Sequence, residues 1–314
     1  MLRLPFANLC GGFILEEGKM AIIFTFHKDR ASIIKVHKKK EHIVAESVRE
    51  IKKLSSYGEY LADEVALDEI ISSLIDEEAV HEKCYVNLTF GTGIQYNTFK
   101  IAATALDIGI RNASYEEAYD DLMIRCLEHM PDGVIKLHDK YCASILSCYE
   151  SDGDITVACA FVPETYMETL KKVFCHKGLL LFGVSSQASG INNMVNLENK
   201  QLVLETESEY LIFNEFGMLI WSKPETELLS REEILEFISD ESAELYPVNP
   251  EVMNLLVENM TNHLNVSVEC SAENLVDEIA AMGVTIQSRV ETRTLEGGLK
   301  SSVKDFVRKL FEKV

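Results

Sequence analysis

Apolar and polar residues alternate along residues 201–221 (QLVLETESEYLIFNEFGMLIW): Leu202 and Leu204, then Leu211 and Phe213, then Met218 and Ile220. A period of two marks strands with one buried face. A Ser/Glu turn and a second turn at Phe216-Gly217 divide the run into three such strands. The same pattern opens the chain at residues 21–26 (AIIFTF), 31–36 (ASIIKV) and 42–48 (HIVAESV), joined by Lys-rich turns. The spacing then changes to the helical period over residues 65–77, where Val65, Leu67, Ile70, Ile71, Leu74 and Ile75 share one face. Residues 83–90 (KCYVNLTF) return as a strand.

A different unit follows. Residues 96–105 read as extended, and Ser114 with Glu116-Glu117 in the next turn starts a helix through about His129. Residues 134–137, 141–149 and 155–162 read as three strands. Pro163 suits the first turn of a helix through Cys175, Gly178 stops it, and residues 178–184 (GLLLFGV) form a buried strand. Beyond the 201–221 run, Ser230 and Glu233 form a capping box opening a helix to about Asp240. Residues 250–264 read as a helix, 266–270 as a strand, and 271–282 as a helix ended by Gly283. The tail 303–314 (VKDFVRKLFEKV) sets Val303, Phe306, Val307, Leu310, Phe311 and Val314 opposite basic residues, a face for the body, a partner or an anionic membrane.

Three strands, a helix and a strand are the opening of a ribonuclease-H-like half, and residues 201–221 followed by helices repeat that opening without a residue-level repeat. The pattern therefore predicts an α/β, actin-like (ribonuclease-H-like) fold of duplicated halves with a small α+β insertion. The expected partition is 1–19 as a leader or loose tail, 20–95 with 163–190 as the first half, and 96–162 as the insertion. Residues 191–286 form the second, reduced half, and 287–314 the basic amphipathic tail.

Composition narrows the function. A length of 314 residues fits about two domains. The net charge of −21 argues against general nucleic-acid binding, which needs clustered Lys and Arg. The charge is uneven: residues 19–53 hold ten bases against four acids, whereas 230–278 hold twelve acids and one Arg. Both stretches read as solvated strand and helix faces. Eight scattered cysteines without a C-x-x-C pair imply a reducing compartment. The first nineteen residues make a poor signal peptide, interrupted by Asn8 and Gly11-Gly12 and too short to span a membrane.

The motifs with chemistry are sparse. Gly91-Thr92-Gly93 lacks the Lys-Ser/Thr of a P-loop. Asp107-Ile108-Gly109 imitates a phosphate loop but precedes a helix, and Cys126, His129, His138 and Cys142 lack metal-site spacing. No nucleophile elbow or catalytic Ser/His/Asp arrangement is present, so neither a catalytic nor a metal residue is assigned.

In layout, residues 20–268, and most closely 113–221, resemble the PilM family of actin-like pilus-assembly proteins, related in fold to the cell-division protein FtsA. The resemblance implies that the α+β insertion is SHS2-type. In it 115–129 stand for the insertion helix, 154–175 for the next strand and helix, 178–187 for the following strand and 201–221 for the second-half hairpin. The family's first phosphate loop carries an Asp and a Gly where this chain has Thr25 and His27; the second is matched by Glu205 and Glu207. Losing the Asp removes a carboxylate route to Mg²⁺, and a side chain in place of Gly obstructs backbone approach to phosphate. The resemblance therefore implies a pseudo-ATPase with no required cofactor, residual Mg–ATP binding being the exception to test. It implies a scaffold of a type IV pilus or type II secretion assembly system, cytoplasmic and peripheral to the inner membrane. Its partner would be the cytoplasmic tail of a bitopic inner-membrane assembly protein, gripped near Tyr115, Tyr119, Met123, Tyr141 and Tyr149. The alternatives are an active actin-like or sugar-kinase-like ATPase and a cell-division or cell-shape adaptor.

Overall fold

The computed structural model describes residues 18–39, 42–52, 54, 56–75, 82–89, 92, 94–102, 125, 128, 140–151, 154–194, 202–205, 209–213, 219–224, 244–246, 267–270 and 274–291. Strands β1 (Met20–Phe26), β2 (Arg30–Lys39) and β3 (His42–Lys52) form an antiparallel meander. A 3-10 helix (Ser56–Leu61) and α1 (Glu64–Leu74) then carry the chain back. Next, β4 (Lys83–Leu88) lies parallel to β1. Farther along, β8 (Leu180–Ser186) lies parallel to β4, giving the order β3-β2-β1-β4-β8. Three antiparallel strands continued by two parallel ones make a ribonuclease-H-like half, as the strand pattern predicts.

Helix α1 starts where Asp63 accepts hydrogen bonds from the backbone N–H groups of Val65 and Ala66, a side-chain cap. It buries Leu67, Ile70, Ile71 and Leu74, and ends at Leu74 instead of the expected residue 77. Ile75 is already extended, and the Arg49 guanidinium takes up the terminal carbonyls of Ser73 and Ile75 at 3.0 and 3.4 Å.

The half is a three-layer sandwich with a core on each face of the sheet. Helix α2 (Glu164–His176) presses Phe174 edge-on against Phe24 at 5.1 Å, and Phe26 meets Tyr60 at 6.0 Å. Because strand side chains alternate, Ala21, Ile23 and Thr25 point the other way. That face is covered by α4 (Leu275–Glu291), which in turn packs on α3 (Gln187–Met194). Pro163 stands at the N-cap of α2 instead of inside its first turn, and Gly178, at φ +69°, ends it as expected.

Helix α3 is not foreshadowed in the sequence reading and spans both sides of the expected 190/191 boundary. Its start is capped by Ser186, whose hydroxyl accepts from the Ser189 N–H at 3.0 Å. Gly283 does not stop α4, which runs through it to Glu291. A Cβ on Gly283 would come closer than 3.0 Å to the Gly190 carbonyl, and one on Gly190 closer than 3.0 Å to that of Ala280. The glycine is there because two helix backbones touch.

A second sheet is built from β9 (Leu202–Glu205), β10 (Glu209–Phe213), β11 (Leu219–Pro224) and β12 (Glu244–Tyr246). Its order is β11-β10-β9-β12, antiparallel except for β12, which runs parallel to β9. This is the plan of β3-β2-β1-β4 repeated, so the α/β fold is of the duplicated, actin-like kind. Between β4 and α2 the chain forms a separate antiparallel sheet of β5 (Gln95–Ala102), β6 (Tyr141–Ser151) and β7 (Asp154–Pro163) in the order β5-β7-β6. The expected helix 114–129 is helical at Arg125 and Glu128 and otherwise lies outside the described residues. So do strand 134–137, helices 230–240 and 250–264, residues 1–17 of the expected leader and 292–314 of the expected tail, whose first residues, 287–291, belong to α4.

The C-terminal segment returns to the first sheet. Strand β13 (Ser267–Glu269) pairs parallel with β3, and Glu269 lies 3.7 Å from His42. The acid-rich and base-rich stretches thus meet here, at an exposed pair of side chains.

Candidate functional site

The site is built on the turn between β1 and β2. His27 closes this turn by donating its backbone N–H to the Arg30 carbonyl at 2.8 Å. The Tyr60 hydroxyl donates to the His27 carbonyl, and the Leu54 N–H donates to that of Asp29 at 2.7 Å. Burial drives the Tyr60 hydroxyl pKa upward, with Asp29 and Tyr166 adding to it, so it stays a neutral donor. Fixed this way, the turn aims two side chains at α4. His27 Nε2 lies 3.0 Å from Asp277 Oδ2, and Arg30 Nη1 lies 3.4 Å from the same oxygen. From α3, Gln187 Nε2 donates to Asp277 Oδ1 at 2.6 Å. Arg30 also donates to Glu50 on β3 at 2.9 Å. The neighbouring Glu278 accepts from the Ser47 backbone N–H and hydroxyl at 3.1 and 2.9 Å, pinning α4 to β3.

Asp277 is 5% exposed, His27 4% and Gln187 2%. Burial raises the Asp277 pKa, but His27 by charge and hydrogen bond, then Arg30 and Gln187, outweigh it and hold the carboxyl below its ordinary range. Chemically, this is a carboxylate gripped at both oxygens, shielded from solvent. Nothing in it presents an acid or base to a substrate.

Beside it runs a row of neutral polar groups. Thr25, Asn87 and Ser185 are register partners on β1, β4 and β8, so they share the face under α3 and α4. Their hydroxyls and both amide atoms of Asn87 are buried without a hydrogen-bond partner among the described residues, as are Thr89 Oγ1 and Gln187 Oε1. Each such group costs about 1–3 kcal/mol.

Of the residues singled out in the sequence, Thr25 and His27 lie together here, both buried. Glu205 ends β9, paired with Tyr210, while Glu207 lies outside the described residues. Tyr141 opens β6 opposite Pro163, half-buried, its hydroxyl pKa raised by desolvation. Tyr149 sits on the same strand opposite Thr156, beyond a bulge between Ile145 and Ser147. Tyr115, Tyr119 and Met123 are outside the described residues. Sequence reasoning missed Arg30, Gln187 and Asp277. The Ser186 cap ahead of Ala188 and Ile191 was a usable signal for α3; no spacing links His27 to a residue 250 positions away.

Among the described residues, no group of three His, Cys, Asp or Glu is placed to hold a metal. Burial, with a smaller push from a nearby glutamate, lifts the Cys84 and Cys270 thiols to about 12, which makes them poor nucleophiles. No described helix is long and apolar enough to cross a membrane.

No known family's sequence profile matches the chain, and no curated protein matches it in sequence. Among solved structures it is similar to the cytoplasmic domain of EpsL, an inner membrane component of the type II secretion system of Vibrio cholerae. Identity there is 11% over 85% of this chain and 94% of that one, with a TM-score of 0.47. The PilM–PilN type IV pilus biogenesis complex is 10% identical over 85% and 98%, with a TM-score of 0.49. A Bacteroides thetaiotaomicron protein with actin-like ATPase fold and unknown function is 10% identical over 84% and 95%, at 0.42. These likenesses are distant, and it is the strand order of the two sheets that makes the chain an actin-like α/β protein.

Proposed function

We propose that the chain is a non-catalytic, actin-like scaffold of a type IV pilus or type II secretion assembly system, acting on the cytoplasmic side of the inner membrane. The observation that carries the non-catalytic part is the turn after β1. Where the resemblance expects a loop open to phosphate, His27 and Arg30 hold the chain's own Asp277 and Thr25 is fully buried. The assembly-system part comes from the PilM-like layout of the sequence, and the systems it names are the ones in which the EpsL and PilM–PilN structures work.

The insertion that carries the β5-β7-β6 sheet is of the SHS2 type and takes the cytoplasmic tail of a bitopic membrane protein. The residues proposed to bind that tail are Tyr115, Tyr119, Met123, Tyr141 and Tyr149, and neither a metal nor a nucleotide is needed. Differential scanning fluorimetry with Mg–ATP tests the first claim. A true ligand at a hundred times its Kd adds about 2.7 kcal/mol, a rise of several degrees. No shift is expected, and a saturable rise would make the protein a nucleotide binder and return the ATPase reading. For the second claim, a peptide of the cytoplasmic tail of a bitopic protein encoded beside this chain is titrated by calorimetry. Binding should weaken at least tenfold in Tyr141→Ala with Tyr149→Ala; unchanged affinity moves the groove elsewhere, and no binding by wild type removes the partner.

A further inference from the structure

We infer that His27, Arg30 and Gln187 form a binding cradle for a compact oxyanion of carboxylate size, which the chain fills itself with the Asp277 side chain. The cradle and its occupant come from different parts of the molecule. Two of its groups stand on the β1–β2 turn and the third on α3, whereas Asp277 arrives on α4, 250 residues after His27. Both oxygens are gripped, Oδ2 by His27 and Arg30 and Oδ1 by Gln187, the two-sided hold that proteins use on free oxyanions. Two of its supports do not depend on Asp277. Hydrogen bonds to Tyr60 and Arg30 fix the backbone of His27, and Glu50 holds the Arg30 guanidinium from the other side.

Helix α4 keeps its seat independently as well, through Glu278 on Ser47 and the backbone contact of Gly283 with Gly190. Cutting Asp277 back therefore opens a carboxylate-sized space lined by the donors of His27, Arg30 and Gln187, with Glu50 still paired to Arg30. Such a space draws in an anion of matching shape, because buried donors left without an acceptor carry their full desolvation cost. The inference stands on this geometry whichever function the chain serves.

Chemical rescue of Asp277→Ala tests it, using sodium formate as the probe and sodium chloride at equal ionic strength as the control. The variant should melt lower than wild type and regain roughly 5 °C as formate saturates. Chloride should not do this, wild type should not respond, and adding His27→Ala to the variant should abolish the gain. If formate and chloride act alike on the variant, or if wild type gains as much from formate, the cradle does not exist. Should the variant not fold in chloride, its refolding yield is the readout: formate must raise it above chloride, and equal yields overturn the inference.

Discussion

A carboxylate removed from water costs several kcal/mol unless charge and hydrogen bonds replace its hydration. At Asp277 the replacement is complete on both oxygens, so the expected loss is large when the charge alone is taken away. Asp277→Asn should destabilise the fold by about 3 kcal/mol at neutral pH, measured by urea denaturation. The pH dependence has a definite sign. The carboxyl sits below its ordinary value of 3.8 when folded, so its contribution is present above that value and fades as pH falls through the folded pKa. The gap between wild type and Asp277→Asn should narrow as pH falls below 3.8; a gap that widens in acid would contradict the assignment. Thr25 and His27 were legible as positions because a hairpin turn is a local pattern. Their surroundings were not, since burial of Thr25 and the pairing of His27 depend on a helix at the far end of the chain.

Helices α3 and α4 cross with backbone against backbone, and this fixes what their glycines do. Gly283→Ala gains about 1 kcal/mol in helix propensity but drives a methyl into the Gly190 carbonyl. A net loss of about 3 kcal/mol in chemical denaturation is expected, and Gly190→Ala should behave alike. The two losses should be non-additive, because both push the same pair of backbones apart. Gly178→Ala is a different case. Open space surrounds that site, so the loss of about 1 kcal/mol comes from φ +69° alone. In the sequence, both Gly178 and Gly283 look like helix stops. What separated them was present downstream of Gly283: Val284 and Ile286 continue an apolar pattern, whereas Leu179 and Leu180 lead into strand β8.

At the scale of the whole molecule, the fold is two copies of one strand plan, and that much was readable because each meander is contiguous in sequence. The strands β13 and β3, by contrast, are joined across the chain, which no local period announces. The uneven charge gains a meaning from this junction. Glu269, Asp277 and Glu278 of the acid-rich stretch meet His42, Arg30 and Ser47 of the base-rich one. Since Asp277 and Arg30 are mostly shielded, at 6% and 16% side-chain exposure, raising salt to about 1 M should change stability little. A large salt-induced loss would place the stabilising charge pairs on the surface instead.

The parallel seam between β13 and β3 also sets a timetable. Val268 lies beside Ile43, so a sheet begun by β1 to β3 is completed by a strand made much later in synthesis. At roughly 5–20 residues per second, His27 waits about 10–50 s for Asp277. During that interval β3 is a bare edge with unpaired N–H and C=O groups, open to any strand that reaches it first. A chain stalled before residue 267 should therefore remain protease-sensitive in β3 and bind a holdase chaperone, and both properties should vanish once α4 has been made.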